Sequence, residues 1–340
     1  MPVITHADDF DADDVFVDLE PMIGHRLYLK CEGFNFAGSI KLKAAAAMVA
    51  AAEESGRLRR GSVLIESSSG NLGVALAMIA ASRGYHFTCV TDDRCNVATR
   101  RMIEALGGRV VMVTEPAEEG GLLGARIVYV KAMCAADDRL VWLDQYRNAA
   151  NWQAHGRTTA PEILRQFPHL DVLFVGAGTT GTLMGCARFL RDWSPRVRIV
   201  AVDATGSVIF GGPSAPRSIP GVGSGVRPPM LDSDYVDDVV LVSEPETTRA
   251  CRRLGRRGFV FGGSTGTVVA GAERWLAEHG DPSLTAVGIA PDLGSGYLDT
   301  IYDDDWVAAT CKNGHPHRLQ APPPRAGSGP AEKAATGAAT

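Results

Sequence analysis

Lys41 closes a turn of small residues, Asn35-Phe36-Ala37-Gly38-Ser39-Ile40, and alanine-rich sequence follows at once. Such a turn sets one amine at the mouth of a cleft, where burial lowers its pKa and makes it a nucleophile or base. Three later loops carry groups suited to anions. Ser67-Ser68-Ser69-Gly70-Asn71 gathers hydroxyls and an amide ahead of an apolar run, which suits a carboxylate. Gly178-Thr179-Thr180-Gly181-Thr182 suits a phosphate at a helix N-terminus: its glycines let the backbone approach and its hydroxyls add donors. Gly262-Gly263-Ser264-Thr265-Gly266 again precedes a helical run. None is a Walker loop or a GxGxxG. Singly each is weak, because most lysines are solvated, serine is a common helix cap, and a Gly/Thr turn is usually only a turn. Their order along one chain is the signal.

Those loops need elements to hold them. Residues 41–55 are rich in alanine, methionine and glutamate and predict a helix, with Ser39 as its N-cap and Gly56 as its stop. Alternation at 26–30 predicts a short strand before the lysine turn. Strands at 62–66, 87–91, 109–113 and 140–143 then alternate with helices at 72–82, 98–106 and 122–135. After Asp144-Gln145-Tyr146, a polar segment leads to a helix near 159–166. A second series starts at Asp171, with strands at 172–175, 198–202, 239–242 and 286–289 and an extended piece at 259–261. Its helices lie at 182–192, at 246–256, and from the 262–266 loop onward. The Gly, Pro and Ser of 205–234 predict a long functional loop, and residues 1–20 show no strong period. Strands separated by helices of this length make right-handed βαβ units and mainly parallel sheets. Two such series predict two α/β domains with a cleft between them, and ligands bind beyond the carboxyl ends of such strands.

The 340 residues are 45% hydrophobic with 38 glycines, ample for a core divided between two domains. A net charge of −5 leaves no basic stripe for nucleic acid. No apolar run is long enough to span a membrane. The acidic start, with Asp8, Asp9, Asp11, Asp13 and Asp14, has the wrong sign for a secretory leader, so a cytoplasmic protein is expected. Seven scattered cysteines without a CxxC pair read as reduced thiols. Residues 311–340 are low-complexity and expected to be disordered, with His315 and His317 solvated and no metal site.

Over residues 20–306 this series of loops resembles the fold type II enzymes of the cysteine synthase and cystathionine β-synthase family, which use pyridoxal 5′-phosphate (PLP). Residues 35–41 are similar to that family's lysine turn, with Phe36 where proline is usual. Residues 66–73 are similar to its substrate loop, and 178–182 to its phosphate loop with Thr180 in place of a usual glycine. Gly221-Val222-Gly223-Ser224-Gly225 resembles a loop near the substrate. Residues 262–266 resemble the segment whose serine faces the pyridine nitrogen, and 291–298 the closing segment. Residues 145–155, 178–182 and 202–211 are similar to one branch of the family. That branch joins O-phospho-L-serine to L-glutamate, giving N-(2-amino-2-carboxyethyl)-L-glutamate. A partner dehydrogenase then releases 2,3-diaminopropionate for siderophores and peptide antibiotics. Leu42-Lys43 where Asp-Arg is usual, and Tyr146 where phenylalanine is common in cysteine synthases, point away from plain cysteine synthesis.

The resemblance implies a tryptophan synthase β-like fold: two three-layer α/β domains with mainly parallel sheets and PLP in the cleft between them. Residues 1–45 and 146–310 form the larger, PLP-binding domain in this reading, and 46–145 a smaller mobile substrate domain. Lys41 is implied to hold PLP as a Schiff base and to act as the catalytic base. Asn71, Gly178, Thr179, Thr180, Gly181, Thr182 and Ser264 are implied to bind the cofactor. Ser68, Ser69, Gly70, Asn71, Gln145, Tyr146 and Gly221 are implied to contact substrate. Ser264, being no carboxylate, leaves the ring less positive, which favours prompt β-elimination. Arg147, Arg217 and Arg227 are candidates for phosphate or carboxylates, and equally for solvated surface arginines. A homodimer acting on small amino acids follows from the same resemblance. The alternatives are a sulfide-using cysteine synthase fed by O-acetylserine or O-phosphoserine, a homocysteine-using cystathionine β-synthase, and a non-catalytic subunit that keeps only the fold. Intact Lys41, Asn71 and Ser264 speak against the last.

Overall fold

Short valine-, isoleucine- and leucine-rich runs closed by glycine or polar turns fold as strands here, and the alanine-rich runs between them as helices. A computed structural model describes residues 3–310 apart from 11, 13 and 280. The chain runs β1 (Phe16–Asp18), α1 (Glu20–Ile23), β2 (Leu27–Cys31), α2 (Lys41–Glu54), β3 (Val63–Ser67), α3 (Asn71–Arg83), β4 (His86–Thr91), α4 (Val97–Ala105), β5 (Arg109–Met112), α5 (Gly121–Ala136) and β6 (Leu140–Trp142). It continues through α6 (Ala149–Arg157), α7 (Thr159–Gln166), β7 (Val172–Gly176), α8 (Gly181–Trp193), β8 (Arg198–Ala204), β9 (Asp238–Val242), α9 (Glu244–Gly255), α10 (Gly263–His279), β10 (Ala286–Ala290) and α11 (Asp304–Thr310).

Two sheets result. The larger has the order β1-β2-β10-β7-β8-β9 and is parallel except for the edge pair β1–β2. The smaller, β5-β4-β3-β6, is wholly parallel. Alternation along β7 shows how the layers form. Val172 and Phe174 face a core cluster with α9 and α10, while Leu173 and Val175 face another with α7 and α8. In the smaller sheet Leu64 packs toward α2 and α3, and Ile65 toward Val130 of α5. Each fully buried aliphatic side chain contributes about 1.5–3 kcal/mol, so both three-layer sandwiches are held chiefly by apolar burial.

The structure departs from the sequence reading in several places. Helix α2 begins at Lys41, but Ser39 does not cap it: Ile40 precedes the helix with no side-chain cap. The Ser39 hydroxyl is buried without a partner. Asn35 organises the turn instead, its amide nitrogen donating to Glu32 O at 3.1 Å and Ser39 O at 3.0 Å. The polar segment after Tyr146 contains a helix, α6, because Asn148 Oδ1 accepts from Ala150 N at 3.1 Å and caps it. β1 was hidden by its length of three residues at an antiparallel edge. Residues 259–261 are not a strand: only Phe261 bridges, to Leu293, before Gly262 and Gly263 turn the chain into α10. Cys31, Cys89, Cys95, Cys134, Cys186 and Cys251 are free thiols. Among the described residues no helix is long and apolar enough to cross a membrane. Cys311, His315, His317 and the low-complexity tail lie outside the described residues.

Candidate active site

The lysine turn is clamped between Asn35 and the segment that follows β10. Ile40 N donates to Pro291 O at 2.7 Å, and Leu293 N donates to Gly38 O at 3.1 Å. Gly38 sits at φ +67°, a conformation that glycine adopts without strain. Lys41 thereby faces a cleft of about 970 Å³ lined by loops that follow β3, β6, β7 and β10. Burial pulls the Lys41 ammonium below the usual lysine range, and the charge of Asp292 pushes back. Asn71, the first residue of α3, donates from Nδ2 to Asp292 Oδ2 at 2.9 Å.

The serine loop 67–71 lines the same cleft. Ser68 is spent within it: its Oγ accepts from Gly73 N at 3.0 Å and Gly70 N at 3.3 Å. Gln145 is likewise turned toward the loop, its Nε2 donating to Ser67 O at 3.0 Å. The helix-cap role and the anion-binding role thus divide between neighbouring residues, with Ser69 and Asn71 left facing the cleft.

The 178–182 loop joins β7 to α8. Thr180 precedes α8 at φ 65°, and its Oγ1 is buried without a partner. A Cβ on Gly178 would lie 2.7 Å from Gly221 O, and one on Gly181 would overlap the Asn151 side chain. Helix α6 backs this loop. Asn151 Nδ2 donates to Gln145 O at 2.7 Å and Thr179 Oγ1 at 3.4 Å. One turn on, the His155 ring bridges Thr159 Oγ1 at 3.2 Å and Thr182 Oγ1 at 3.3 Å. Burial pulls His155 down to about 3, so the ring is neutral at physiological pH. Ser264 lies in the first turn of α10 rather than ahead of it, with its Oγ against Gly221, where a Cβ would overlap it.

These features fit PLP. A buried amine stands ready for an imine, and an orphan hydroxyl and glycines lie at the N-terminus of α8, where a phosphate is favoured. Ser264 stands on the same cleft wall. The cleft lining is also rich in basic side chains. Besides Lys41 its lining holds Arg94, Arg126 and Arg217, against the single carboxylate of Glu118. Arg126 pairs with Asp92 at 3.1 Å, yet its Nη1 is buried without a partner. Arg94 reaches the same Asp92 at 3.3 Å. Burial pushes the Tyr146 hydroxyl up, against the pull of the Arg126 charge and a Ser224 hydrogen bond. Arg147 and Arg227, singled out in the sequence, do not line the cleft; Arg147 pairs loosely with Asp144 and Arg227 with Ser233. Arg94, Arg126 and Asp292 carried no local motif signal beyond membership of the closing segment for Asp292. Among the described residues no His, Cys, Asp and Glu group could hold a metal ion.

A family model described as pyridoxal-phosphate dependent enzyme matches residues 17–291. The chain belongs to this family. It is 40% identical over 284 residues to a Ralstonia nicotianae protein named N-(2-amino-2-carboxyethyl)-L-glutamate synthase, covering 83% of this chain and 84% of that one. A Cupriavidus metallidurans protein of the same name is 40% identical over 288 residues, with the same coverage. The solved structure of an O-ureido-L-serine synthase superposes with a TM-score of 0.82 at 34% identity, over 90% of this chain and all of that one. The expected fold type II architecture is therefore the one found, the protein is an enzyme, and its cofactor is PLP. When bound, PLP supplies the electron sink for chemistry at an amino acid's Cα and Cβ.

Proposed function

We propose that this PLP-dependent enzyme joins O-phospho-L-serine to L-glutamate by β-replacement, giving N-(2-amino-2-carboxyethyl)-L-glutamate and phosphate. The observation that carries the reading is the set of Arg94, Arg126 and Arg217 lining the same cleft as Lys41. A phosphorylated first substrate and a dicarboxylate second substrate both carry anionic groups that such arginines hold, whereas an acetylated first substrate with sulfide does not need them. The names borne by the Ralstonia and Cupriavidus relatives support it further.

In this reading Lys41 holds the cofactor and then moves one proton. Its Nζ takes the proton from the substrate Cα, the Cβ–O bond to phosphate breaks, and a Cβ–N bond to glutamate forms as that amine sheds a proton. Lys41 then returns its proton to Cα. Ser69 and Asn71 orient the first substrate's carboxylate, and the arginines hold the phosphate and then the glutamate carboxylates. Thr179, Thr180 and Thr182 would hold the cofactor phosphate with Gly178 and Gly181, and Ser264 would offer its hydroxyl to the cofactor ring.

Residues 46–145 are the unit that moves over the substrate in this proposal, supported by the fall of β3 to β6 within that span. A cytoplasmic homodimer and a dehydrogenase that consumes the product go with the same activity. So does supply of 2,3-diaminopropionate for an antibiotic or siderophore. Their support is the likeness of residues 145–155 and 202–211 to that branch. The test is one incubation of the enzyme with O-phosphoserine and either glutamate or sulfide, followed by mass spectrometry. The glutamate adduct is expected. Cysteine without that adduct would overturn the substrate assignment and leave the family untouched.

A further inference from the structure

Asp292 is the one described carboxylate whose charge acts on the Lys41 amine. Its side chain is 1% exposed. Oδ2 accepts from Asn71 Nδ2 at 2.9 Å and from the Tyr297 hydroxyl at 2.5 Å, while Oδ1 is buried with no hydrogen-bond partner. The backbone around it is pinned to the lysine turn: Ser39 and Asp292 form a bridge, flanked by the Ile40–Pro291 and Gly38–Leu293 hydrogen bonds. Behind it, Gly262 N donates to Asp292 O at 3.0 Å. A Cβ at Gly262 would overlap the carboxylate itself, so Asp292 packs directly against the Gly262 backbone and only glycine leaves room for it there. The other described ionisable groups acting on Asp292 are Cys251 on α9 and Tyr302, while His155 on α6, neutral through burial, feels the Lys41 charge. Burial pushes the Cys251 thiol up to about 12 and raises Tyr302 further, so both are neutral. Burial also pushes Asp292 up to about 6, with Tyr297, Asn71 and Lys41 pulling it down, which leaves it mostly ionised at neutral pH.

We propose that Asp292 is a positioning residue with two tasks: it fixes the orientation of the Asn71 amide, and it is the built-in counter-ion for Lys41. The inference rests on the reading of Lys41 as the cofactor-bearing lysine. When Lys41 takes a proton from Cα, the positive charge arrives on Nζ near a buried carboxylate instead of in an uncompensated apolar site. The N–H bond forms as the Cα–H bond breaks, and Asp292 gains no proton. The Asn71 amide, with one N–H committed to Oδ2, presents its other N–H in a fixed direction along the cleft.

The test is a pH titration of the visible absorption band of the PLP-bound enzyme, compared between wild type and Asp292→Asn. Removing the carboxylate charge withdraws support from the protonated imine nitrogen, so the midpoint falls by half a pH unit or more, roughly a threefold change in proton affinity or greater. An unchanged or raised midpoint overturns the proposal. Tyr297→Phe strips the donor that holds the Asp292 carboxyl down, so less of the counter-ion is ionised and the midpoint falls, by less than in Asp292→Asn. A rise there, or no change, counts against the proposal, and this variant carries the test alone if Asp292→Asn yields no soluble protein. Lys41→Ala separates the underlying reading: a visible imine band that survives gel filtration in that variant shows that another lysine carries PLP.

Discussion

Thr180 holds φ at 65°, in the left-handed region where a β-branched side chain crowds its own backbone. Such a conformation costs of order 1 kcal/mol and is retained only where surrounding contacts enforce it. In the proposed reading the unpartnered Oγ1 at the head of α8 is the use of that strain, as a donor to the cofactor phosphate. Thr180→Gly therefore trades one property for the other. The apo-protein's unfolding free energy in chemical denaturation should rise by about 1 kcal/mol, while PLP titration should show affinity lower by about fivefold, the worth of one hydrogen bond. Lys41→Ala is the sharper change. It should leave no visible imine band after gel filtration and lower kcat by at least about 10² if Lys41 moves the proton. Both residues were legible in the sequence for the same reason. Glycine, serine and threonine clusters mark backbone that must turn or approach closely, and that constraint is local. Asp292 was legible only as part of a segment, because a carboxylate becomes a counter-ion through burial, which depends on Asn71, Tyr297 and Gly262 arriving from elsewhere.

Helix α6 is the element that local sequence signals concealed. Its mixture of Asn, Trp, Gln and His carries little propensity, and its cap at Asn148 was readable only with a helix already in mind. Yet it is the shelf for the 178–182 loop, with Asn151 and His155 on one face at i and i+4. It lies very close to α8. A Cβ at Gly185 would overlap Trp152 O, and one at Gly156 would stand 3.2 Å from Gly185 O. Gly185→Ala should force the two helices apart, lowering stability by about 1–3 kcal/mol in chemical denaturation and weakening PLP binding with it. Helix α2 is anchored by a different device. Lys43, two residues beyond Lys41, meets Glu32 and Glu162 at 3.0 Å each, and Lys30 meets Glu162 at 2.8 Å, all four side chains buried. Glu162→Gln leaves two ammonium groups with one carboxylate and should cost about 3–5 kcal/mol, read from urea unfolding. Lys30 lies on β2 with Glu32 just after it, Lys43 on α2 and Glu162 on α7, so no spacing rule could have joined them.

For the whole molecule, pH acts through buried carboxyls and one buried imidazole. Glu66, behind the serine loop, is pushed by burial up to about 7, though Trp142 and Ser67 N both donate to it. Its pKa is higher folded than unfolded, so the penalty begins near pH 4.5 and is complete above about 7. Glu66→Gln should thus gain stability relative to wild type by on the order of 3 kcal/mol as pH rises through that window, measured as the difference between the two unfolding free energies. His155 has the opposite sign on the acid side: unfolding lets it take a proton, so stability falls from about pH 6.5 toward 3. The alternating strand and helix pattern made the two sheets legible, since parallel strands buried on both faces are apolar throughout. Strand order was not legible, and it has a temporal consequence. β10, among the last elements made, lies between β2 and β7, and it leads directly into Pro291 and Asp292 beside the lysine turn. On the ribosome, the smaller sheet has all its strands once Trp142 has emerged, but the larger one has a gap at its centre until nearly 290 residues are out. A nascent chain cannot earlier present Lys41 in its clamp, so if Lys41 bears the cofactor, its capture is expected late in synthesis. Chains arrested before Ala286 should show protease-resistant small-sheet fragments yet no imine absorbance, and chains arrested well after Thr310 should show both.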